Sequence, residues 1–158
     1  MPAAVKIPRI LIVEDENIVA LDIQAQLRKL GYESIGHVAH GQEAINVAKA
    51  QRPDLILMDI QLAGDMDGIA AAQIIRTECD LPVVFITAYD ADEILARAKL
   101  TEPYGYVLKP FSERELHNVI EMALYKHHAE TKLRMSMEQL QNLSRRLENH
   151  RRLGLARI

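Results

Sequence analysis

Short apolar runs recur along the chain at wide intervals: Ile10-Leu11-Ile12-Val13, Leu55-Ile56-Leu57-Met58, Val83-Val84-Phe85-Ile86 and the weaker Tyr104-Gly105-Tyr106-Val107-Leu108. Each predicts a strand buried on both faces of a sheet. A softer alternation over 34–39, SIGHVA, predicts one more strand. Between the runs, apolar residues fall at helical spacing: Ile18, Leu21, Ala25 and Leu27 to Leu30 ahead of Gly31; Ala44, Ile45, Val47 and Ala48 ahead of Pro53; Ile69, Ala72, Ile74 and Ile75 ahead of Cys79. Gly31 and Pro53 are helix stops. Strand and helix alternating in this way predict a parallel sheet covered by helices on both faces, with right-handed crossovers. In such a doubly wound α/β domain, ligands bind beyond the carboxyl ends of the strands, where the strand order reverses.

The polar residues that could do chemistry stand at those ends. The first strand runs into Glu14-Asp15-Glu16, the third into Asp59, the fourth into Thr87-Ala88 and the fifth into Lys109-Pro110. Carboxylates gathered at one sheet edge repel one another and raise at least one pKa unless a cation neutralises them. Hard oxygen ligands call for Mg²⁺ or Mn²⁺, with coordination positions left for water or a phosphoryl oxygen. A metal that bridges a carboxylate to a phosphoryl group positions the donor and disperses developing charge, which would let Asp59 become an aspartyl phosphate. Lys109 would add a second positive charge and Thr87 a hydroxyl for a phosphoryl oxygen. Taken singly, the same residues have plainer uses: Asp59 as a turn cap, Thr87 as a β-branched strand residue, Tyr104 and Tyr106 as core aromatics.

Composition narrows the class. The chain has 158 residues, 49% of them hydrophobic and 26% charged, enough for one core with an appendage. A lone cysteine, Cys79, excludes an internal disulfide, and its surroundings favour an inert thiol. No apolar run approaches the roughly 20 residues that span a bilayer, and MPAAVKIPRI lacks a secretory core, so a cytoplasmic protein without membrane contact is expected. The six histidines show no zinc-ligand spacing. Residues 1–131 hold 12 Lys/Arg against 20 Asp/Glu, whereas 132–158 hold 7 against 2. No aromatic interleaves those arginines, so a solvated helix face is the simpler reading and nucleic acid is not indicated, a nucleic-acid-binding regulator acting through this basic helix being the alternative.

Ser112 with Glu115 forms a capping-box sequence for a last helix that turns Leu116, Val119, Ile120 and Ala123 to the sheet. No breaker follows before Gly154. Val119, Met122, Lys126, Ala129, Leu133, Ser136, Leu140, Leu143 and Leu147 continue in alternating steps of three and four, a coiled-coil seam that predicts a homodimer. A single amphipathic helix folded back on the domain is the alternative. The organisation expected is a tail at 1–7, a domain at 8–125 and a helical extension at 126–158.

The segments ILIVEDE, DLILMDI, VVFITAY and GYVLKPF, in this order and spacing, resemble the receiver domain of two-component response regulators over about residues 8–125. The resemblance implies a flavodoxin-like fold with strand order 2-1-3-4-5, and phosphoryl transfer from a sensor histidine kinase. It implies Asp59 as phosphoacceptor, Asp15 as direct metal ligand, Glu14 as a ligand acting through water and Gln61 as a ligand through its backbone carbonyl. Thr87 and Tyr106 would be switch residues, Lys109 the phosphate-pairing lysine, and Pro110 would follow a cis bond. The face formed by the fourth helix, fifth strand and fifth helix would change partner. Glu14 replaces the family's more usual Asp, and Glu102-Pro103 its Gly-Ala pair, the latter altering the loop before the fifth strand. LQNLSRRLENHRRLGLARI resembles the stretch leading into the dimerisation helix of one class of histidine kinases, so an output domain beyond residue 158, or an output partner, is expected.

Two enzyme or carrier readings of the same fold meet obstacles. Aspartyl-nucleophile phosphatases resemble one another in a second Asp two positions on, where Gln61 stands. A flavin carrier needs a phosphate loop after the first strand, where Glu14-Asp15-Glu16 would repel it.

Overall fold

The computed structural model describes residues 6–88, 96–99 and 103–156. The chain divides into two units, residues 1–125 and 126–158. The first runs β1 (Arg9–Val13), α1 (Asn17–Lys29), β2 (Glu33–Val38), α2 (Gly41–Gln51), β3 (Leu55–Asp59), α3 (Gly68–Cys79) and β4 (Val83–Thr87). Helical residues at 96–99, here α4, precede β5 (Gly105–Leu108) and the opening turns of α5 (Glu113–Ala156). Glu102 and the other residues around α4 that the fourth-helix expectation covers lie outside the described set.

All pairings are parallel and the strand order is β2-β1-β3-β4-β5, as expected. Because side chains alternate along a strand, each apolar run serves two cores. Leu11, Val13, Ile56, Met58, Val83 and Phe85 pack with Ala44, Ile45 and Ala48 of α2 and Ile69, Ala72 and Ile75 of α3. Ile10, Ile12, Leu55, Leu57, Val84 and Ile86 pack with Ala20, Ile23 and Leu27 of α1 and Leu116, Ile120 and Ala123 of α5. The unbroken apolar sequences of β1, β3 and β4 thus follow from having a helical layer on each side.

β5 departs from that expectation. It is an edge strand in which Val107 is buried while Tyr106 and Leu108 are exposed. At the opposite edge β2 is only partly buried, and its pairing with β1 shifts register between Ile10 and Ile12, where Gly36 takes φ +118°. In α1 only part of the apolar pattern that reveals the helix is buried: Leu27 is, but Ile18 is 83% exposed, and Leu21 and Ala25 also face solvent.

The stops lie where the sequence puts them. Gly31, at φ +93°, ends α1 with its N–H on the Arg28 carbonyl, and Tyr32 N–H reaches the Leu27 carbonyl, a Schellman-type closure. Arg52, at φ 44°, ends α2 just before Pro53. Asp67 caps α3, its carboxylate accepting from Ala70 N–H at 2.8 Å. At α5, Ser112 Oγ accepts from Glu115 N–H at 3.1 Å, one half of the capping box.

In the second unit α5 continues, passing through Gly154 rather than stopping there. Its described side chains from Lys132 to Gly154 are all exposed, Leu133, Leu140, Leu143 and Leu147 among them.

Candidate functional site

The order of the strands reverses between β1 and β3, whose neighbouring ends are Val13 and Met58 in register. The next residues, Glu14 and Asp59, therefore lie side by side at the carboxyl edge. β4 adds Thr87, 1% exposed, beyond the Asp59–Ile86 pairing. β5 adds Lys109, whose backbone N–H donates to the Thr87 carbonyl at 2.8 Å; its bond to Pro110 is cis.

Lys109 Nζ ties the site together. It donates to Glu14 Oε1 at 2.6 Å and to Asp59 Oδ2 at 3.2 Å. Glu14 is 2% exposed and accepts from Asp15 N–H at 3.1 Å. The other Asp59 oxygen, Oδ1, accepts from Gln61 N–H at 3.0 Å. Carboxylate oxygens of Glu14, Asp15 and Asp59 all lie within 4.8 Å of one another, the only such cluster with a metal-ligating composition among the described residues. Asp15 is exposed while its two companions are buried, so the cluster opens to solvent on the Asp15 side.

Electrostatics reflect this crowding. Burial, with Asp59 adding to it, pushes the Glu14 carboxyl up to about 8 despite Lys109. Burial works against the Lys109 charge, yet its bonds to the two carboxylates more than offset that and raise its pKa. One lysine is thus too little for three carboxylates, and a hard divalent cation fits the oxygen donor set.

The loop from Asp59 to α3 is held closely. Gly68 N–H donates to the Ile60 carbonyl at 2.8 Å, and a Cβ on Gly68 would lie 1.9 Å from the Asp59 carbonyl oxygen. His40 Nδ1 lies 3.1 Å from the Ala63 carbonyl, which makes it the donor. Arg97 Nη2 donates to Asp67 Oδ2 at 2.9 Å.

Residues 10–121 match the response regulator receiver domain. This chain belongs to the response regulator receiver family. It is similar to the transcriptional regulatory protein PdtaR of Mycobacterium tuberculosis, 36% identical over 90% of this chain and 68% of that protein. Among solved structures it resembles the signal receiver domain of a modulated diguanylate cyclase from Desulfovibrio desulfuricans, at TM-score 0.75 and 41% identity over 79% of this chain and 99% of that one. It also resembles the receiver domain of a sensor histidine kinase from Pseudomonas aeruginosa with magnesium coordinated in its active-site cleft, at TM-score 0.69 and 33% identity over 75% and 98%. The receiver is a phosphorelay signalling module, and no helix among its described residues is long and apolar enough to cross a membrane.

The structure brings Glu14, Asp15, Asp59, Gln61, Thr87 and Lys109 to one edge, while Tyr106 lies exposed on β5. Asp67-Gly68 resembles the family's turn into the third helix and stands there, whereas His40 and Arg97 were not singled out from the sequence. Gly68, next to a capping Asp and following a strand end, carried a signal; Arg97, 30 residues from its partner, carried none.

Proposed function

We propose that this receiver accepts a phosphoryl group on Asp59 from the phosphohistidine of a sensor kinase. The Asp59 oxygen attacks phosphorus, the new P–O bond replaces the P–N bond, and the histidine nitrogen leaves. The observation that carries the reading is Lys109 bonded to both Asp59 and Glu14 beside an acidic cluster that needs more positive charge.

Glu14, Asp15 and Asp59, with the main-chain carbonyl of Gln61, would hold Mg²⁺ or Mn²⁺, which when bound supplies charge neutralisation for the transferred group. Lys109 would release Glu14 to pair with a phosphoryl oxygen, and the Thr87 hydroxyl at the neighbouring strand end would donate to another. Tyr106, exposed on β5, would then move inward and change the face of α4, β5 and α5 that a partner reads. The receiver would catalyse only its own phosphorylation and hydrolysis, in the cytoplasm, where kinase phosphohistidines are made. The exposed leucines of α5 support a homodimer along that helix.

Intact mass after incubation with acetyl phosphate and Mg²⁺ tests the chemistry. A labile phosphoryl adduct is expected on the wild-type chain, and none on Asp59→Asn or without metal. An adduct that persists in Asp59→Asn would assign the chemistry to another residue.

A further inference from the structure

The loop between the phosphoacceptor and α3 is held by two side chains from outside it, His40 on the Ala63 carbonyl and Arg97 on Asp67. Asp67 divides its carboxylate between two donors: Oδ1 takes the Ala70 N–H at the start of α3, and Oδ2 takes the Arg97 guanidinium. The next residue, Gly68, rests on the main chain of Asp59 so tightly that a methyl group would lie 1.9 Å from its carbonyl oxygen and 2.9 Å from its carbonyl carbon. Arg97 is therefore linked to the Asp59 backbone through Asp67 and the adjoining Gly68. Arg97 belongs to α4, beyond the strand that ends in Thr87, so this link is separate from the one Lys109 makes to Asp59.

We propose that Arg97 is a positioning residue for phosphoryl transfer: by holding Asp67 it fixes the N-terminus of α3 and, through Gly68, the line along which Asp59 presents its oxygen. The same link ties α4 mechanically to the state of Asp59. This rests on Asp59 being the phosphoacceptor. The side chains of Arg97 and Asp67 are 58% and 35% exposed, so the pair adds little to folding stability and its effect on the reaction can be read separately. Misplacing a reacting group by a fraction of an ångström slows reaction without weakening the binding of the donor.

The test uses the full chain with acetyl phosphate at saturating Mg²⁺, following the rate of adduct formation against donor concentration. Asp67→Asn keeps an N-cap side chain but removes the charge. Asp67→Asn and Arg97→Gln are each expected to lower the maximal rate about threefold to tenfold, with KM for the donor and Tm unchanged. The double variant should be no slower than either single one, and Arg97→Lys should recover most of the rate. Unchanged rates, effects that multiply in the double variant, or rate losses that track a fall in Tm would each overturn the positioning role. A wild-type chain that takes no adduct at Asp59 overturns the phosphoacceptor reading, and this proposal with it.

Discussion

Gly68 lies directly against the main chain of Asp59, closer than any residue with a side chain could. A Cβ there would meet the Asp59 carbonyl oxygen at 1.9 Å and the Ile60 Cα at 2.9 Å. Both are backbone atoms in a fully buried strand and its exit, so neither can yield as a flexible side chain would. Gly68→Ala is predicted to cost roughly 3 kcal/mol, the upper range for overpacking, and to abolish phosphorylation of Asp59. Urea unfolding measures the first; a loss under about 1 kcal/mol would mean that α3 shifts away at little expense.

Replacing Lys109 with Gln should move two quantities in opposite directions. The phosphorylation rate should fall about 100-fold, as when a preorganised donor to a developing anion is lost. Mg²⁺ affinity should rise, because the ammonium 2.6 Å from Glu14 and 3.2 Å from Asp59 no longer competes for those oxygens. Calorimetric titration with Mg²⁺ and the adduct assay decide this; a fall in both would point to general disruption of the site.

Glu14 sets a pH dependence of folding. Its carboxyl is raised from an ordinary 4.5 to about 8 by burial and by Asp59, so the native state holds a proton that the unfolded chain releases. Its contribution to stability is therefore complete below pH 4.5 and declines as pH rises from there to about 8. Metal-free protein should lose Tm across that window, Glu14→Gln should lose less, and Mg²⁺ should restore more at the upper end than at the lower. A wild-type slope equal to that of Glu14→Gln would count against it.

The second unit offers a test of association. Leu133, Leu140 and Leu147 recur at heptad spacing, each more than half exposed. Wild-type chain should sediment as a dimer, and Leu140→Lys combined with Leu147→Lys as a folded monomer with phosphorylation retained. A monomeric wild type would instead leave that stripe to a different partner.

The sequence revealed most where a residue's surroundings extend on both sides of the sheet. The runs at β1, β3 and β4 are apolar throughout because two helical layers cover them, and their polar exits marked the site. It revealed less at the borders. Tyr106 and Leu108 look like core residues in a one-dimensional pattern, yet β5 has a neighbour on one side only. Ile18 shares the period of α1 but not its buried face, since period fixes spacing and not phase. Arg97 with Asp67, and Tyr32 donating to Glu121 across 89 residues, are pairs created by folding alone, with nothing local to announce them.

An open parallel sheet leaves two rows of unpaired backbone groups, which in other settings recruit strands from neighbouring molecules. Here both are poor templates. β5 is four residues long, and β2 is interrupted where its pairing slips beside Gly36. Edges this short and irregular give a strand from a neighbouring molecule little to pair with, a colloidal safeguard that costs the site nothing even though β5 itself leads into Lys109.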